Sequence, residues 1–506
     1  MLSKTYSYAL SGIDSYLVTI EVDCSRGLPA TIIVGLPDNA IKESKERIRA
    51  AIKNSGHKFP VSRNTINLSP ADTKKEGPSF DLAIALGILA SSESISPVNL
   101  NEYAVLGELS LDGEIKPVSG ILPIALSMVN SHFKGLIVPK ANATEAAIAN
   151  MIPVYPVKTL NELIYFLQDP ERVQPFKVDS SKLVVQENHF DIDFSDVKGQ
   201  IMVKRGLEIA ASGLHNALLI GSPGTGKSML AKRFCSILPD MSMEESLETT
   251  KIYSAMGKLN HQQGIITTRP FRSPHHTTSA AAIVGGGSNP RPGEVTLSHN
   301  GVLFLDELPE FNRSVIESLR QPLEDQIVTI SRANKALKFP CRFILIAAMN
   351  PSPTGRYDDC NAYQMQRYLS KLSGPLLDRI DLHLDVPDLP SNELFAQTQP
   401  ETSQKIKERT TKAHNIQKER FNGSGIQANA HMNHKQIKHF CKLNKESKGL
   451  LKAAIEELGL SARAYDKILK VSRTIADLDN KEDILTEHIA EAIQYRSLDR
   501  DWWGKA

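Results

Sequence analysis

The stretch of sequence that most constrains the fold is an apolar run, a glycine-rich turn and a helical segment at residues 217–234. Its central octapeptide, GSPGTGKS, matches the G-x-x-x-x-G-K-[ST] pattern between a predicted strand and a predicted helix. Successive backbone N–H groups of such a turn point at a phosphate chain, and the helix directs the positive end of its dipole there. The pattern predicts a phosphate-binding loop formed by Gly221, Ser222, Pro223, Gly224, Thr225, Gly226, Lys227 and Ser228.

Two residues of this loop are expected to contact the charged groups of a bound nucleotide. Lys227 is expected to reach the β- and γ-phosphates of a nucleotide, and the Ser228 hydroxyl is expected to hold Mg²⁺. A glycine-rich turn without a ligand is the alternative, because turns commonly contain glycine. The Lys-Ser pair in register and both flanking segments favour the phosphate loop.

A second apolar run, residues 301–305, ends in two acids, Asp306 and Glu307. A parallel strand buried on both faces is continuously apolar, and ligands of open α/β sheets bind at the carboxyl ends of the strands. Asp306 is therefore a candidate Mg²⁺ ligand, and Glu307 is a candidate to polarise the water that attacks a γ-phosphate. A solvated strand end is the alternative, and pairing with the upstream phosphate loop favours the catalytic interpretation.

Composition limits the partners and the compartment. The 59 Lys+Arg residues nearly balance the 57 Asp+Glu residues, so any nucleic-acid contact has to come from local basic loops. Five scattered cysteines, an odd number, argue against a disulfide framework and for a reducing compartment. No window approaches 18 apolar residues, and the N-terminus lacks a signal-type apolar core. We expect a soluble cytoplasmic protein with no membrane partner.

The chain of 506 residues divides by pattern into three domains and a linker. Residues 1–167 alternate strand and helix patterns, and residues 168–190 are rich in Pro, Gln, Asp and Ser, as linkers are. Residues 191–388 contain the nucleotide motifs, and residues 389–506 are helical. The predicted fold class is α/β, with a parallel-sheet nucleotide-binding core and a helical C-terminal region.

Six motifs together resemble the ComM (YifB) family of bacterial magnesium-chelatase-like AAA+ proteins, and the resemblance covers nearly the whole chain. It implies an N-terminal Lon-protease-like domain, an AAA+ P-loop core and a C-terminal helical lid. It further implies an ATP-dependent, Mg²⁺-using homo-hexamer that acts on branched or single-stranded DNA, promoting branch migration of junctions in natural transformation. The motifs are residues 35–37, 75–79, 269–276, 301–311, 373–382 and 460–478.

The N-terminal domain resembles the Lon proteolytic domain, in which a lysine of depressed pKa activates a serine. Ser79 falls on the serine of that family, whereas the lysine position is Leu122. We therefore expect a Lon-like fold without peptidase activity. A helix N-cap is the favoured interpretation of Ser79.

Three further residues take roles from the AAA+ resemblance. Asn350 matches sensor 1, which positions the attacking water; capping of the turn at Pro351 is the alternative. Arg379 matches the arginine finger that acts on a neighbour's nucleotide, and an ion pair with Asp378 or Asp381 is the alternative. Arg463 matches sensor 2, an arginine of the lid that reaches the nucleotide.

Two insertions match the helix-2 insertion and the pre-sensor-1 hairpin that face the central pore in this clade. Basic residues on such loops can hold a phosphate backbone without reading sequence. A solvated hairpin tip is an equally good interpretation. The candidate DNA-contacting residues are Arg291, Arg332, Lys335 and Lys338.

The resemblance also has one departure and leaves two other functions open. Members of the family commonly carry four cysteines after sensor 1, whereas residues 350–360 hold only Cys360, so we predict no zinc. A magnesium-chelatase motor subunit is one alternative function. A Lon-like ATP-dependent protease is the other, and it would need the lysine that this chain lacks.

Overall fold

The computed structural model describes residues 2–96, 98–178, 192–260, 264–287, 290–332, 335–355, 362–372, 374–390 and 400–496. The chain forms two compact units. The first consists of Met1–Glu187 with Met243–Thr267, and the second of Asn188–Ser242 with Thr268–Ala506. In the described part of the chain, no helix has both the length and the apolar character needed to cross a bilayer.

The first unit contains a seven-stranded mixed sheet in the order β3-β4-β2-β1-β5-β8-β9, with a short hairpin of β6 and β7. Its long strands β1 and β2 pair in antiparallel fashion, and alternate residues of each are buried, as a half-covered sheet requires. The strands are β1 Leu2–Ser11, β2 Asp14–Ser25, β3 Ala30–Val34, β4 Arg63–Ser69, β5 Tyr103–Val105, β6 Glu108–Leu109, β7 Ile115–Lys116, β8 Gly135–Pro139 and β9 Val154–Val157.

Helices cover this sheet, and the most apolar of them is entirely buried. The helix α2 packs on β1 and β2, which explains why apolar residues surround its whole circumference. The amphipathic helix α1 begins at Asp38, whose carboxylate accepts a hydrogen bond from the Ile41 N–H at 2.8 Å. The helices are α1 Asn39–Asn54, α2 Asp81–Ser91, α3 Ile121–Ser127, α4 Ala143–Ala147, α5 Leu160–Gln168 and, from the later segment, α8 Met243–Ala255.

The segment Met243–Thr267 belongs to the first unit although it follows the phosphate loop in sequence. Its helix α8 packs against α3, and Met243 and Leu247 contact an apolar cluster around Leu122. The buried Glu145 carboxylate accepts hydrogen bonds from the Ser254 hydroxyl at 2.5 Å and the Leu122 N–H at 3.1 Å. One buried acid therefore joins α8 to the N-terminal chain.

The two positions that match the Lon dyad are placed as follows. Leu122 is fully buried in α3, where a Lon peptidase carries its lysine. Ser79 lies inside the 3-10 helix Pro78–Phe80, and the residue that precedes α2 as its N-cap is Phe80. The expected N-cap role of Ser79 is thus wrong, because the 3-10 turn places one more residue before the α-helix.

The second unit has an all-parallel five-stranded sheet in the order β11-β14-β17-β10-β18. Its three central strands, β10, β14 and β17, are continuously apolar and almost entirely buried, as the sequence predicted. Two antiparallel hairpins, β12-β13 and β15-β16, stand outside this sheet. The strands are β10 Ala217–Ile220, β11 Phe271–Arg272, β12 Gly285–Gly286, β13 Arg291–Pro292, β14 Gly301–Leu305, β15 Ile327–Arg332, β16 Lys335–Pro340, β17 Phe343–Met349 and β18 Leu382–Asp385.

The helices of this unit pack around the sheet and continue as a helical C-terminal region. The long helix α18 begins at Ser461, whose hydroxyl accepts a hydrogen bond from the Ala464 N–H at 3.2 Å. The helices are α6 Ile201–Gly213, α7 Lys227–Phe234, α9 Ala280–Val284, α10 Glu294–Leu297, α11 Arg313–Ser318, α12 Arg320–Asp325, α13 Ala362–Leu369, α14 Gly374–Leu377, α15 Ser403–Arg420, α16 His434–Phe440, α17 Lys445–Leu458, α18 Ala462–Leu478 and α19 Thr486–Gln494.

The predicted fold class is confirmed: an α/β chain with a parallel sheet and a helical C-terminal region. The division into residues 1–167, 168–190, 191–388 and 389–506 stays a prediction. Nothing in the sequence indicated that Met243–Thr267 joins the N-terminal unit, because its polar surface resembles that of an ordinary peripheral helix.

Replacing Glu145 with alanine tests how α8 is held. The change leaves three buried donors, from Leu122, Asn142 and Ser254, without this acceptor. Of the three hydrogen bonds, only that of Ser254 joins α8 to the N-terminal chain, and its loss costs about 1–3 kcal/mol, so we expect the opening free energy of α8 to fall by about that amount. Amide hydrogen exchange of α3 and α8 measures this. The exposed Glu43→Ala change on α1 is the control; equal protection in both variants would contradict the assignment.

Candidate nucleotide-binding site

The phosphate loop follows β10 at the carboxyl end of the parallel sheet. Gly224 and Gly226 have φ values of 88° and 90°, which side chains rarely allow, so glycine is required at both positions. A Cβ on Gly221 would lie 2.3 Å from the Val386 carbonyl oxygen after β18, so the loop needs glycine there for close packing. These constraints fix the path of the loop backbone between β10 and the first turn of α7.

The Lys227 side chain folds over the carbonyls of its own loop. Its ammonium donates to Gly221 O at 2.6 Å, to Ser222 O at 2.8 Å and to Asn350 Oδ1 at 3.2 Å. Burial lowers the pKa of Lys227, against the raising effect of the Asp306 carboxylate. The lysine thus lies between the phosphate loop and the predicted sensor 1 residue, which β17 carries between β10 and β14.

Ser228 and Asp306 form the candidate Mg²⁺ site. The Ser228 hydroxyl donates to Asp306 Oδ2 at 2.5 Å, so a serine and a carboxylate meet beside the phosphate loop. Oxygen donors of this kind suit Mg²⁺, which is typically held by one or two protein groups together with phosphates and water. The residues present therefore fit Mg²⁺.

Glu307 is held by a histidine that the sequence did not indicate as functional. Its carboxylate Oε2 lies 3.2 Å from Nδ1 of His276. Glu307 also has a φ of 52°, a left-handed backbone conformation that is uncommon for residues other than glycine. His276 lies in the segment after β11, and β11 pairs with β14, the strand that precedes Glu307. A residue from the neighbouring segment therefore contacts the acid.

The two arginines predicted to act on a nucleotide, Arg379 as the finger and Arg463 as sensor 2, lie at the opposite end of the sheet from the phosphate loop. The Arg379 carbonyl accepts a hydrogen bond at 3.1 Å from Asn216, the residue before β10, and β10 runs about 13 Å from there to the loop. The Arg379 guanidinium pairs with Glu324 of α12 at 2.5 Å. Arg463 donates to Asp378 at 3.2 Å. Both cations are thus separated from the nucleotide site of their own chain.

The ion pair proposed as the alternative for Arg379 has a different partner in the structure. Asp378 pairs with Arg463, and buried Asp381 pairs with Lys467 and with His215 at 3.2 Å. Burial raises the pKa of Asp381, but the Lys467 ammonium and the His215 imidazole outweigh it and hold that pKa well below its usual range. Asp381 thereby fastens the lid helix α18 to the core beside the arginine.

The two insertions are in contact at their bases. A Cβ on Gly285 of β12 would lie 2.7 Å from Cδ1 of Ile330 in β15, so one hairpin packs closely on the other. Arg272 forms a bidentate ion pair with Glu294, at 2.6 and 2.9 Å, which joins the two ends of the first insertion. Arg291 and Lys338 are both exposed on these hairpins.

Several predicted features lie outside the described residues. They include residues 179–190 of the linker, Ser373 at the start of the finger motif, and the side chains of Arg332 and Lys335. Cys360 is also outside them, so the absence of zinc stays a prediction. The predicted roles of the site residues remain predictions as well, although the structure brings Lys227, Ser228, Asp306 and Asn350 together.

Comparison with known proteins agrees with this geometry. Models of magnesium chelatase subunit ChlI match residues 20–142 and 193–394, and the model of its C-terminal region matches residues 400–496. The fold and the site therefore define a magnesium-chelatase-like AAA+ protein, a class that implies ATPase activity and use of Mg²⁺.

Relatives define the family more narrowly. Competence protein ComM of Haemophilus influenzae is 44% identical over 506 residues, covering 99% of this chain and 98% of that protein. The uncharacterized protein YifB of Escherichia coli is 44% identical over 505 residues, with the same coverage of both chains. The chain belongs to the ComM/YifB family, which confirms the resemblance inferred from its motifs. An archaeal Lon protease of Thermococcus kodakarensis is 30% identical over 149 residues, 28% of this chain and 23% of that protein.

Sequence reasoning missed three partners of site residues. Neither His276 nor Glu324 was among the predicted site residues, and the pairing of Asp378 with Arg463 was not foreseen. These contacts join residues far apart in sequence, so no local pattern encodes them. The position of His276 four residues after β11, the strand beside β14, was the one available signal.

Replacing His276 with alanine tests whether this side chain positions Glu307. We expect kcat for ATP hydrolysis to fall about 10- to 100-fold with KM little changed, because a misplaced group loses rate rather than ground-state binding. Steady-state kinetics measures both constants. His439→Ala is the control, since this exposed histidine lies on α16, away from the residues of the nucleotide site. Equal kcat values in the two variants would contradict a positioning role.

Proposed function

We propose that this protein is an ATP-driven DNA motor that promotes branch migration of DNA junctions during natural transformation. The observation that carries the proposal is the opposite placement of the phosphate loop and the two arginines within one chain. Such a chain completes its catalytic site only with a neighbour. A full-length relative is named a competence protein, which supports the biological setting.

The proposal includes assembly into a ring, with six subunits by family resemblance, and the geometry of Arg379 and Arg463 supports it. In the proposal, both side chains of one protomer enter the nucleotide site of the next. Glu324 and Asp378 hold them when no phosphate competes, and a planar guanidinium suits the charge that develops on a transferred phosphoryl group.

Hydrolysis in this proposal uses the groups gathered at the carboxyl end of the sheet. Lys227 binds the β- and γ-phosphates, and Asn350 and Glu307 orient and polarise the attacking water. Ser228 and Asp306 would hold Mg²⁺, which neutralises phosphate charge when bound. His276 keeps Glu307 in place from the neighbouring strand.

DNA contact is assigned in this proposal to the two packed insertions. Arg291 and Lys338 are exposed there, and Arg332 and Lys335 belong to the same hairpin by sequence. Because Glu294 pairs with Arg272 of β11, movement of the hairpins is linked to the strand that precedes His276. The test is whether branched DNA stimulates ATP hydrolysis and is itself remodelled.

A magnesium-chelatase motor subunit is the second candidate, because the matching family models carry that description. It predicts stimulation of metal insertion into a porphyrin in the presence of partner subunits. A chelation assay that shows such activity, without any effect of DNA on ATP hydrolysis, would favour it over the DNA motor.

A mixing experiment tests the trans arrangement. Lys227→Ala is expected to abolish ATP binding, and Arg379→Ala to retain ATP but lose hydrolysis by about 10³-fold or more. When the two variants are mixed, an intact Arg379 on one protomer serves an intact phosphate loop on the next, so ATPase activity should return. Phosphate release measures it.

Two further variants sharpen this test. Arg463→Ala mixed with Lys227→Ala should also recover activity, whereas Arg313→Ala, which removes an exposed arginine paired with Glu317, should turn over normally by itself. Absence of recovery in both mixtures, with rings still formed, would mean that the arginines act within their own chain.

A further inference from the structure

Positive charge is concentrated on one part of the helical region. Residues 431–458, up to the end of α17, contain six lysines and three acids, Glu446, Glu456 and Glu457, which gives this segment a net charge of +3. The whole chain carries only +2, so the remainder of the protein is net negative. We call the exposed cations of this segment the lid lysine patch, formed by Lys435, Lys438, Lys442, Lys445, Lys448 and Lys452.

These lysines follow the helical faces that point away from the core. Lys445, Lys448 and Lys452 are spaced by three and four residues along α17, so they share one side of the helix. Ser447 and Leu451 of the same helix are buried. On α16, Lys435 and Lys438 are exposed while Ile437 is buried. Both helices therefore present cations outward from a packed interior.

Carboxylates do not neutralise the patch. Among the described residues, its one ion pair joins Lys452 to Glu456 at 3.8 Å, which is a loose contact. The nearby His434 contacts Asp466 at 3.4 Å. The other five lysines form no ion pair with a described carboxylate, so their ammonium groups are available to an anionic partner.

We propose that the lid lysine patch binds the phosphate backbone of duplex DNA, as a second contact separate from the two insertions. The inference rests on the proposed function, which makes DNA the polyanion. Flexible ammonium groups on a convex helical surface suit phosphates without reading base sequence. The patch holds duplex DNA while the insertions move it.

The test removes four charges with Lys435→Gln, Lys438→Gln, Lys445→Gln and Lys448→Gln in one protein. The matched control removes four exposed lysines that each pair with a carboxylate, through Lys4→Gln, Lys74→Gln, Lys116→Gln and Lys134→Gln. Both variants lose the same net charge. Circular dichroism and DNA-independent ATP hydrolysis should match the unaltered protein in both.

Binding to a 30-base-pair duplex is measured by fluorescence anisotropy at several salt concentrations. Each phosphate contact contributes about 0.9 to the slope of log K against log salt concentration. We expect the patch variant to lose about 3 to 4 from this slope and to bind at least about tenfold more weakly in 0.1 M salt. The control variant should keep its slope.

The outcomes separate this inference from the motor function. An unchanged slope in the patch variant, with DNA still stimulating ATP hydrolysis, overturns the patch and leaves the motor intact. A reduced slope in a protein whose ATP hydrolysis ignores branched DNA supports the patch and counts against the motor. Loss of ring assembly in the patch variant, seen by light scattering, assigns the lysines to an acidic neighbouring protomer and overturns the proposal.

Discussion

The nucleotide site depends on the order of the parallel strands. Because β17 lies between β10 and β14, the ends of three consecutive neighbours in the sheet bring an ammonium, an amide and a carboxylate within hydrogen-bonding reach. Parallel strands place their carboxyl ends at one edge, and that edge is where ligands bind in open sheets. Every assignment made for Lys227, Asn350 and Asp306 follows from this arrangement.

The same sheet also separates functions. At the amino ends of the strands, the Asn216 side chain donates a hydrogen bond to the Arg379 carbonyl. Helix α18 contacts the same end of the sheet through the ion pairs of Lys467 with Asp381 and of Arg463 with Asp378. The sheet thus has phosphate-binding groups at the carboxyl ends of its strands and two arginines at the amino ends. A head-to-tail contact between identical chains brings complementary edges together, which is how cyclic assemblies arise.

Much of this organisation could be predicted from the sequence, because its signals are local. The GSPGTGKS loop, the apolar strands and the Ser461 cap are encoded within a few residues, and the structure contains each of them. The contact between His276 and Glu307 and the role of Glu145 could not be predicted. Both depend on side chains brought together by tertiary packing, for which a single sequence carries no periodic signal.

The route of the chain through the N-terminal unit has a consequence for biosynthesis. That unit takes α8 from a position beyond the phosphate loop, so its interior is incomplete until Thr267 has left the ribosome. Domains otherwise tend to fold in order as they emerge. Here the nascent first unit exposes the apolar surface around Leu122 while the loop, α7 and the residues before them are translated, and the two units become linked during synthesis.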